Sequence, residues 1–206
     1  MSDEPEPKPA EKRPGGRSAR VLADVVAATL AEVTEKPYDQ LTAEAVAIRA
    51  GVHKATLYRR WGGVDGLVAQ ALESSAEREW PVPDAGSVGR DLRLLAGEVQ
   101  RVFADPEAGA TPRALIAAAL RSERGAAALH AFFAARHRQA AALVSRAVVR
   151  GELPDGTDPV AVVRAATAPL YHCLFLTGEP LDGRDADRAA EAALVAARAG
   201  VFVNQG

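Results

Sequence analysis

Cysteine is almost missing: Cys173 stands alone in 206 residues, which excludes a disulfide-stapled scaffold. Aromatic residues make up only 5% of the chain, and β-branched residues do not collect into alternating runs, so nothing reads as a sheet. No stretch approaches the roughly 18–20 uninterrupted apolar residues that span a bilayer, and a membrane partner is not expected. The first sixteen residues are polar and Pro-rich without an apolar segment, which does not fit a secretory signal. The formal net charge is −2, so no global excess of one sign names a partner; only the placement of charge can. Catalytic patterns are missing too. The four histidines (His53, His130, His137 and His172) show no compact metal spacing, and no serine sits in a Gly-x-Ser-x-Gly turn. No catalytic residue, metal or cofactor is expected.

What the chain has in quantity is alanine, 45 residues of it. Alanine has the highest helix propensity, so an all-α cytoplasmic protein is expected. Residues 1–16 cannot bury enough apolar surface to offset ordering and read as a disordered tail. Helical periodicity starts at Arg17 and stops before Pro37. Thr42 is a good N-cap for a short helix over 43–50, which Gly51 ends. A second short helix is expected over 53–60, and Gly62–Gly63 break the chain before a longer one over 65–79. Further helices are expected from Ser87 to Phe103, from Thr111–Pro112 to Arg121, over 125–150, from Asp158–Pro159 to about Thr177, and over 185–202. That makes about nine helices, divided into a small head (17–62) and a larger bundle (63–206).

The informative stretch is Thr42–Trp61, TAEAVAIRAGVHKATLYRRW. Two short helices meet through Ala50–Gly51–Val52, as a helix–turn–helix requires, with Val46, Ala47, Val52 and Leu57 facing inward. The second helix leaves His53, Lys54, Thr56, Tyr58, Arg59 and Arg60 outward, donors that suit a major groove and its phosphates. On spacing alone the alternative is a helical interaction protein without sequence-specific DNA binding, its charged face solvated. Residues 17–80 resemble the DNA-binding domain of the tetracycline-repressor (TetR) family of transcriptional regulators. The resemblance rests on the long first helix, Tyr38–Asp39–Gln40–Leu41–Thr42, Ala50–Gly51–Val52, and Thr56–Leu57–Tyr58–Arg59–Arg60–Trp61. It implies a homodimer whose recognition helices read a palindromic double-stranded DNA operator, and a C-terminal bundle that binds a small-molecule effector. Residue by residue, it implies that Thr42 caps the second helix at a phosphate. His53, Lys54 and Ala55 touch base edges, Thr56 and Tyr58 bond phosphates, and Arg59 and Arg60 add cationic contacts. Two positions depart from the family. Gly62–Gly63–Val64–Asp65 lacks the lysine common at the start of the fourth helix, and Glu44 replaces a basic groove contact.

In the bundle, Pro169 removes a backbone donor and predicts a kink. Beside it lie Tyr171, His172 and Cys173, which Phe132, Phe133 and His137 on the long helix could face, with Phe103 as a further wall. These seven residues are the expected effector pocket. Val163, Thr167, Leu170 and Leu174 form a stripe on one late helix, and Ala190, Leu194 and Ala197 another on the last. Both are expected at the dimer interface.

Overall fold

The computed structural model describes residues 16–204, Glu79 excepted; nearly all of the expected tail lies outside the described residues. Among the described residues nine α-helices follow one another: α1 (Gly16–Glu35), α2 (Ala43–Ala50), α3 (Lys54–Trp61), α4 (Val64–Ala76), α5 (Val88–Ala104), α6 (Ala110–Ala119), α7 (Glu123–Val149), α8 (Pro159–His172) and α9 (Gly183–Arg198). A 3₁₀ turn at Tyr38–Gln40 and a π turn at Cys173–Thr177 complete them. Among the described residues there is no strand, only an isolated bridge between Thr157 and Val203.

Local chemistry explains where the helices depart from expectation. The first helix takes in Gly16, one residue before its expected start at Arg17. The sixth begins before Thr111, so the Thr111 hydroxyl does not cap it and instead accepts from Thr34 on α1, 2.9 Å away. The α6 start is held by Arg113, whose guanidinium binds the carbonyls of Phe103, Asp105 and Pro106. Ser122 accepts from the Gly125 amide at 3.1 Å and starts α7 two residues early. Asp182 forms a capping box with Asp185 and likewise starts α9 early. Helix α8 continues through Pro169 to His172, and a π turn then takes the place of the last residues of the helix expected to reach about Thr177. Pro159–Thr177 is also the one described segment long and apolar enough to cross a membrane. It carries Arg164 and packs within the bundle against α5, α7 and α9.

Two cores result. Helix α4 packs on α1 and α3 of the head as well as on α6 and α7 of the bundle, and with it α1, α2 and α3 close over Val25, Val46, Leu57, Trp61, Leu67 and Leu72, all buried. In the bundle, α5, α8 and α9 meet along Ala166, Ala186, Ala189, Ala190, Ala193 and Ala197, where small side chains allow close helix approach. This seam corrects an expectation. Val163, Thr167, Leu170, Ala190, Leu194 and Ala197 are each no more than 3% exposed inside a single chain, so they cannot also face a second subunit. Leu174 is half-buried and packs on the same core. An apolar stripe at helical spacing marks a buried face, and here the neighbouring helices of the same chain bury it.

The head is tied together by charge as well. Glu32 of α1 is buried and accepts from Lys36 at 2.7 Å and from Arg49 of α2 at 2.8 Å, and Arg49 also grips Glu35. The Lys36 hydrogen bond, aided by Arg49 and against the effect of burial, holds the Glu32 carboxyl below its ordinary range. A carboxyl lowered in the folded state stabilises above its unfolded pKa and loses that contribution as pH falls through the folded one. Wild type should therefore lose urea resistance between about pH 5 and pH 3. Glu32→Gln should be less stable at pH 7 and show a flatter fall over that window. Parallel profiles for the two proteins would remove Glu32 as the cause.

Candidate functional site

The turn between α2 and α3 is built on Gly51, whose φ of 65° lies in the left-handed region that glycine adopts without strain. Its amide donates to the Ile48 carbonyl at 3.2 Å and the Val52 amide to Ala47 at 3.0 Å, closing α2 before α3 begins. Thr42 accepts from the Ala45 amide at 3.1 Å and so caps α2 while remaining exposed. On α3, Leu57 and Trp61 lie one turn apart and are buried, anchoring the helix by one face. The opposite face is free: His53, Lys54, Ala55, Tyr58, Arg59 and Arg60 are all exposed, and Thr56 is half-buried. All eight expected DNA contacts thus lie on one end of the head.

Their electrostatics were not legible in the sequence. Lys54 is ion-paired with Glu44 across the α2–α3 turn and stands 5.5 Å from the Tyr58 ring centroid. The pairing raises the Lys54 pKa and lowers that of Glu44. Arg60 stacks on the Trp61 ring, 4.7 Å from its centroid, and reaches Ser18 of α1 at 3.5 Å. At the start of α4, Asp65 accepts from the Tyr38 hydroxyl at 2.8 Å. The carboxylate there sits at a helix N-terminus, where it is favoured electrostatically.

The head is joined to the bundle through the carbonyl that ends α3. Arg124, at the start of α7, donates to the Trp61 carbonyl at 2.8 Å. Gly66 of α4 passes so close to that carbonyl that a Cβ atom would lie 1.8 Å from its oxygen.

A cavity of about 370 Å³ lies between head and bundle. Leu30 of α1 lines it from the head, Leu72 and Ser75 from α4, and Trp80, Phe103, Phe132, Phe133, His137 and Tyr171 from the rest of the bundle. The rings of Phe133 and Phe103 meet the Tyr171 ring edge-on at 5.1 and 5.6 Å. Burial raises the Tyr171 phenol pKa and lowers that of His137, so both are neutral at pH 7. Five of the seven expected pocket residues are brought together: Phe103, Phe132, Phe133, His137 and Tyr171. His172 and Cys173 are not among the lining residues. Successive helical residues lie about 100° apart, so a helix that aims Tyr171 at the cavity turns His172 to solvent. The Cys173 thiol, in the π turn, lies 3.8 Å from Glu179.

Sequence reasoning missed Arg136, which lines the same cavity. Its position four residues after Phe132 was the available signal, because residues four apart share a helix face. Val163 and Thr167, expected at the dimer interface, also line the cavity, and the Thr167 hydroxyl donates to the Val163 carbonyl at 3.1 Å. Among the described residues no three His, Cys, Asp or Glu side chains converge as metal ligands do.

Residues 25–71 match the family model for bacterial regulatory proteins of the tetR family. Residues 82–193 match that of the tetracyclin repressor-like C-terminal domain. The chain is 34% identical over 158 residues to the HTH-type transcriptional regulator AqdR of Rhodococcus erythropolis, covering 77% of this chain and 76% of that one. With the HTH-type transcriptional regulator YdeS of Bacillus subtilis it shares 30% identity over 149 residues, 72% of this chain and 75% of that one. The crystal structure of a TetR transcriptional regulator from Agrobacterium tumefaciens has the same fold. It aligns with a TM-score of 0.65 at 22% identity, covering 85% of this chain and 92% of that one.

Proposed function

This chain is a DNA-binding transcriptional regulator of the TetR family, and from that premise we propose that it acts in the cytoplasm as a homodimeric repressor released from a palindromic operator by a small molecule in the aromatic cavity. One observation carries the proposal. The cavity is walled by α1 of the head, by α4, which packs on both head and bundle, and by α5, α6, α7 and α8 of the bundle. An occupant therefore touches both the part that meets DNA and the part that holds it. A ligand shifts such an equilibrium only by binding one arrangement better than the other, and a cavity shared by both parts provides that difference.

The second subunit packs against the outward faces of α8 and α9, since their inward faces are used within the chain. Ala192 and Val195 are exposed on one side of α9, continued by Ala199 and Val201 past its end, and Leu176 is exposed beyond α8. Burying such a face between two identical copies gives the two-fold symmetry that a palindrome requires.

In the recognition helix, Lys54 reads a base edge by exchanging Glu44 for guanine O6 or N7. Tyr58, Thr56, Arg59, Arg60 and Thr42 serve phosphates. Lys54→Ala should bind the operator about tenfold more weakly and lose preference at one symmetric pair of bases, with scrambled duplex affected far less. Glu44→Gln removes a negative charge from the DNA-facing end and frees Lys54, so it should bind scrambled duplex more tightly and narrow the gap between operator and scrambled DNA. Fluorescence anisotropy on duplexes from the gene's upstream region, at several salt concentrations, measures all of this. If wild type fails to prefer any upstream segment over scrambled DNA, the repressor reading is wrong. If Lys54→Ala weakens both duplexes equally, Lys54 is a phosphate contact.

A further inference from the structure

The cavity walls are largely apolar, yet Arg136 is set into them. Its Nη1 donates to the Arg78 carbonyl and to Gln139 Oε1, each at 3.0 Å, and its Nη2 donates to the Ser75 carbonyl at 2.6 Å. The guanidinium stands 5.4 Å from the Phe132 ring centroid and 5.8 Å from that of Trp80. Three N–H donations thus go to neutral acceptors, and among the described residues no carboxylate pairs with it. Arg78, a second cation, also lines the cavity. Burial and the nearby Arg78 charge both disfavour the charged form of Arg136. The one described carboxylate on the lining is Glu98, and its charge is met by Arg101. His137 and Tyr171 carry no charge at neutral pH.

We infer that the effector is an amphipathic organic anion, with an apolar body among Trp80, Phe103, Phe132, Phe133 and Tyr171 and a carboxylate or equivalent head on Arg136. This rests on the reading of the cavity as the effector site and names the chemical class that fits it. A guanidinium has five donors in a planar fork, and carboxylates match that fork with two parallel hydrogen bonds. Here three donations are used, so the Nε–H and the remaining Nη2–H stay available to an incoming anion. The pair of arginines supplies the positive potential, and the low-polarity walls strengthen it. A neutral ligand of the same shape would leave the charge of Arg136 uncompensated, and a cationic one would meet two like charges.

The test uses the full-length protein and three apolar bodies, each as acid, primary amide and amine: naphthalene-1-acetic acid, indole-3-acetic acid and decanoic acid with their counterparts. Calorimetric titration of wild type should show at least one acid binding about tenfold more tightly than its amide, and the amine not binding. Arg136→Gln should bring acid and amide to the same affinity without weakening the amide, whereas Arg136→Lys should retain the preference. Because Arg136 also holds the carbonyls of Ser75 and Arg78 at the end of α4, Arg78→Gln provides a second reading at an exposed residue and should reduce the preference two- to threefold by removing one of the two charges. An amide or amine that binds as well as its acid in wild type overturns the anion assignment and leaves the cavity as a ligand site. Failure of all nine compounds to bind overturns the reading of the cavity itself, and this inference with it.

Discussion

Leu170→Glu should unfold the bundle, whereas Val195→Glu should leave a folded protein that sediments as a monomer. The two positions look alike in the sequence, both apolar residues on late helices. Leu170 is 1% exposed among α5, α7 and α9, while Val195 is 59% exposed. Removing a buried leucine costs about 2–5 kcal/mol, and a carboxylate put in its place adds the penalty of an unpaired buried charge. Native domains hold only about 5–15 kcal/mol in total, so that sum is enough to abolish the fold. At Val195 the charge stays in water in the free chain and harms only the surface proposed to face a second copy. Circular dichroism and sedimentation velocity separate the outcomes. A folded monomer from Leu170→Glu would return the inner α8 stripe to the subunit interface, and a fully dimeric Val195→Glu would place the interface elsewhere than on α9.

Gly66→Ala should remove operator binding altogether, although residue 66 touches no DNA in the proposed complex. Its Cβ would stand 1.8 Å from the Trp61 carbonyl oxygen and 2.7 Å from Arg124 Nη1. Contacts below 3.0 Å are not tolerated, and the obstacle is backbone, so α4 must draw away from α3 by more than 1 Å. Moving it breaks the Arg124 bond to that carbonyl and uncovers Leu57 and Trp61, which fix α3 in place. Overpacking typically costs about 1–3 kcal/mol, and a rigid neighbour puts this site at the upper end. The control is Gly97→Ala in α5, where a Cβ meets nothing within 4 Å. That change should hold or raise stability, by up to about 1 kcal/mol, because alanine outranks glycine inside a helix. Operator titration and thermal melts read both variants. Full operator affinity in Gly66→Ala would show that the junction yields more easily than backbone contact allows.

The head was legible from sequence because its signals are local. Thr42, Gly51 and the Leu57–Trp61 pair act within a turn or two of themselves, and an exposed polar face of α3 follows from the buried one. What escaped was set by contacts between elements. Glu44 and Lys54 are ten residues apart and meet only because the turn folds α3 back on α2. The inward and outward sides of α8 and α9 cannot be told apart by periodicity, which reports that a stripe is covered and not by what. Phe103, Phe132, Phe133, His137 and Tyr171 were recognisable because aromatic residues are scarce in this chain. Arg136 hid among the six arginines between Arg121 and Arg150, most of which face solvent.

The alanine seam of α5, α8 and α9 divides the bundle by its capacity to adapt. An alanine side chain has no rotamers to choose between and loses no side-chain entropy on burial. A seam of such residues cannot answer a disturbance by repacking; its helices slide or tilt as whole bodies or do not move. At the other end, phenylalanine, tyrosine and tryptophan rings can turn about two torsions each and reshape the cavity around different occupants. One fold thus joins a stiff transmission to a pliable receptor. On the proposed reading of the cavity, substitutions around Phe103 and Phe133 should change which ligands bind without disturbing how the proposed subunits are set against each other.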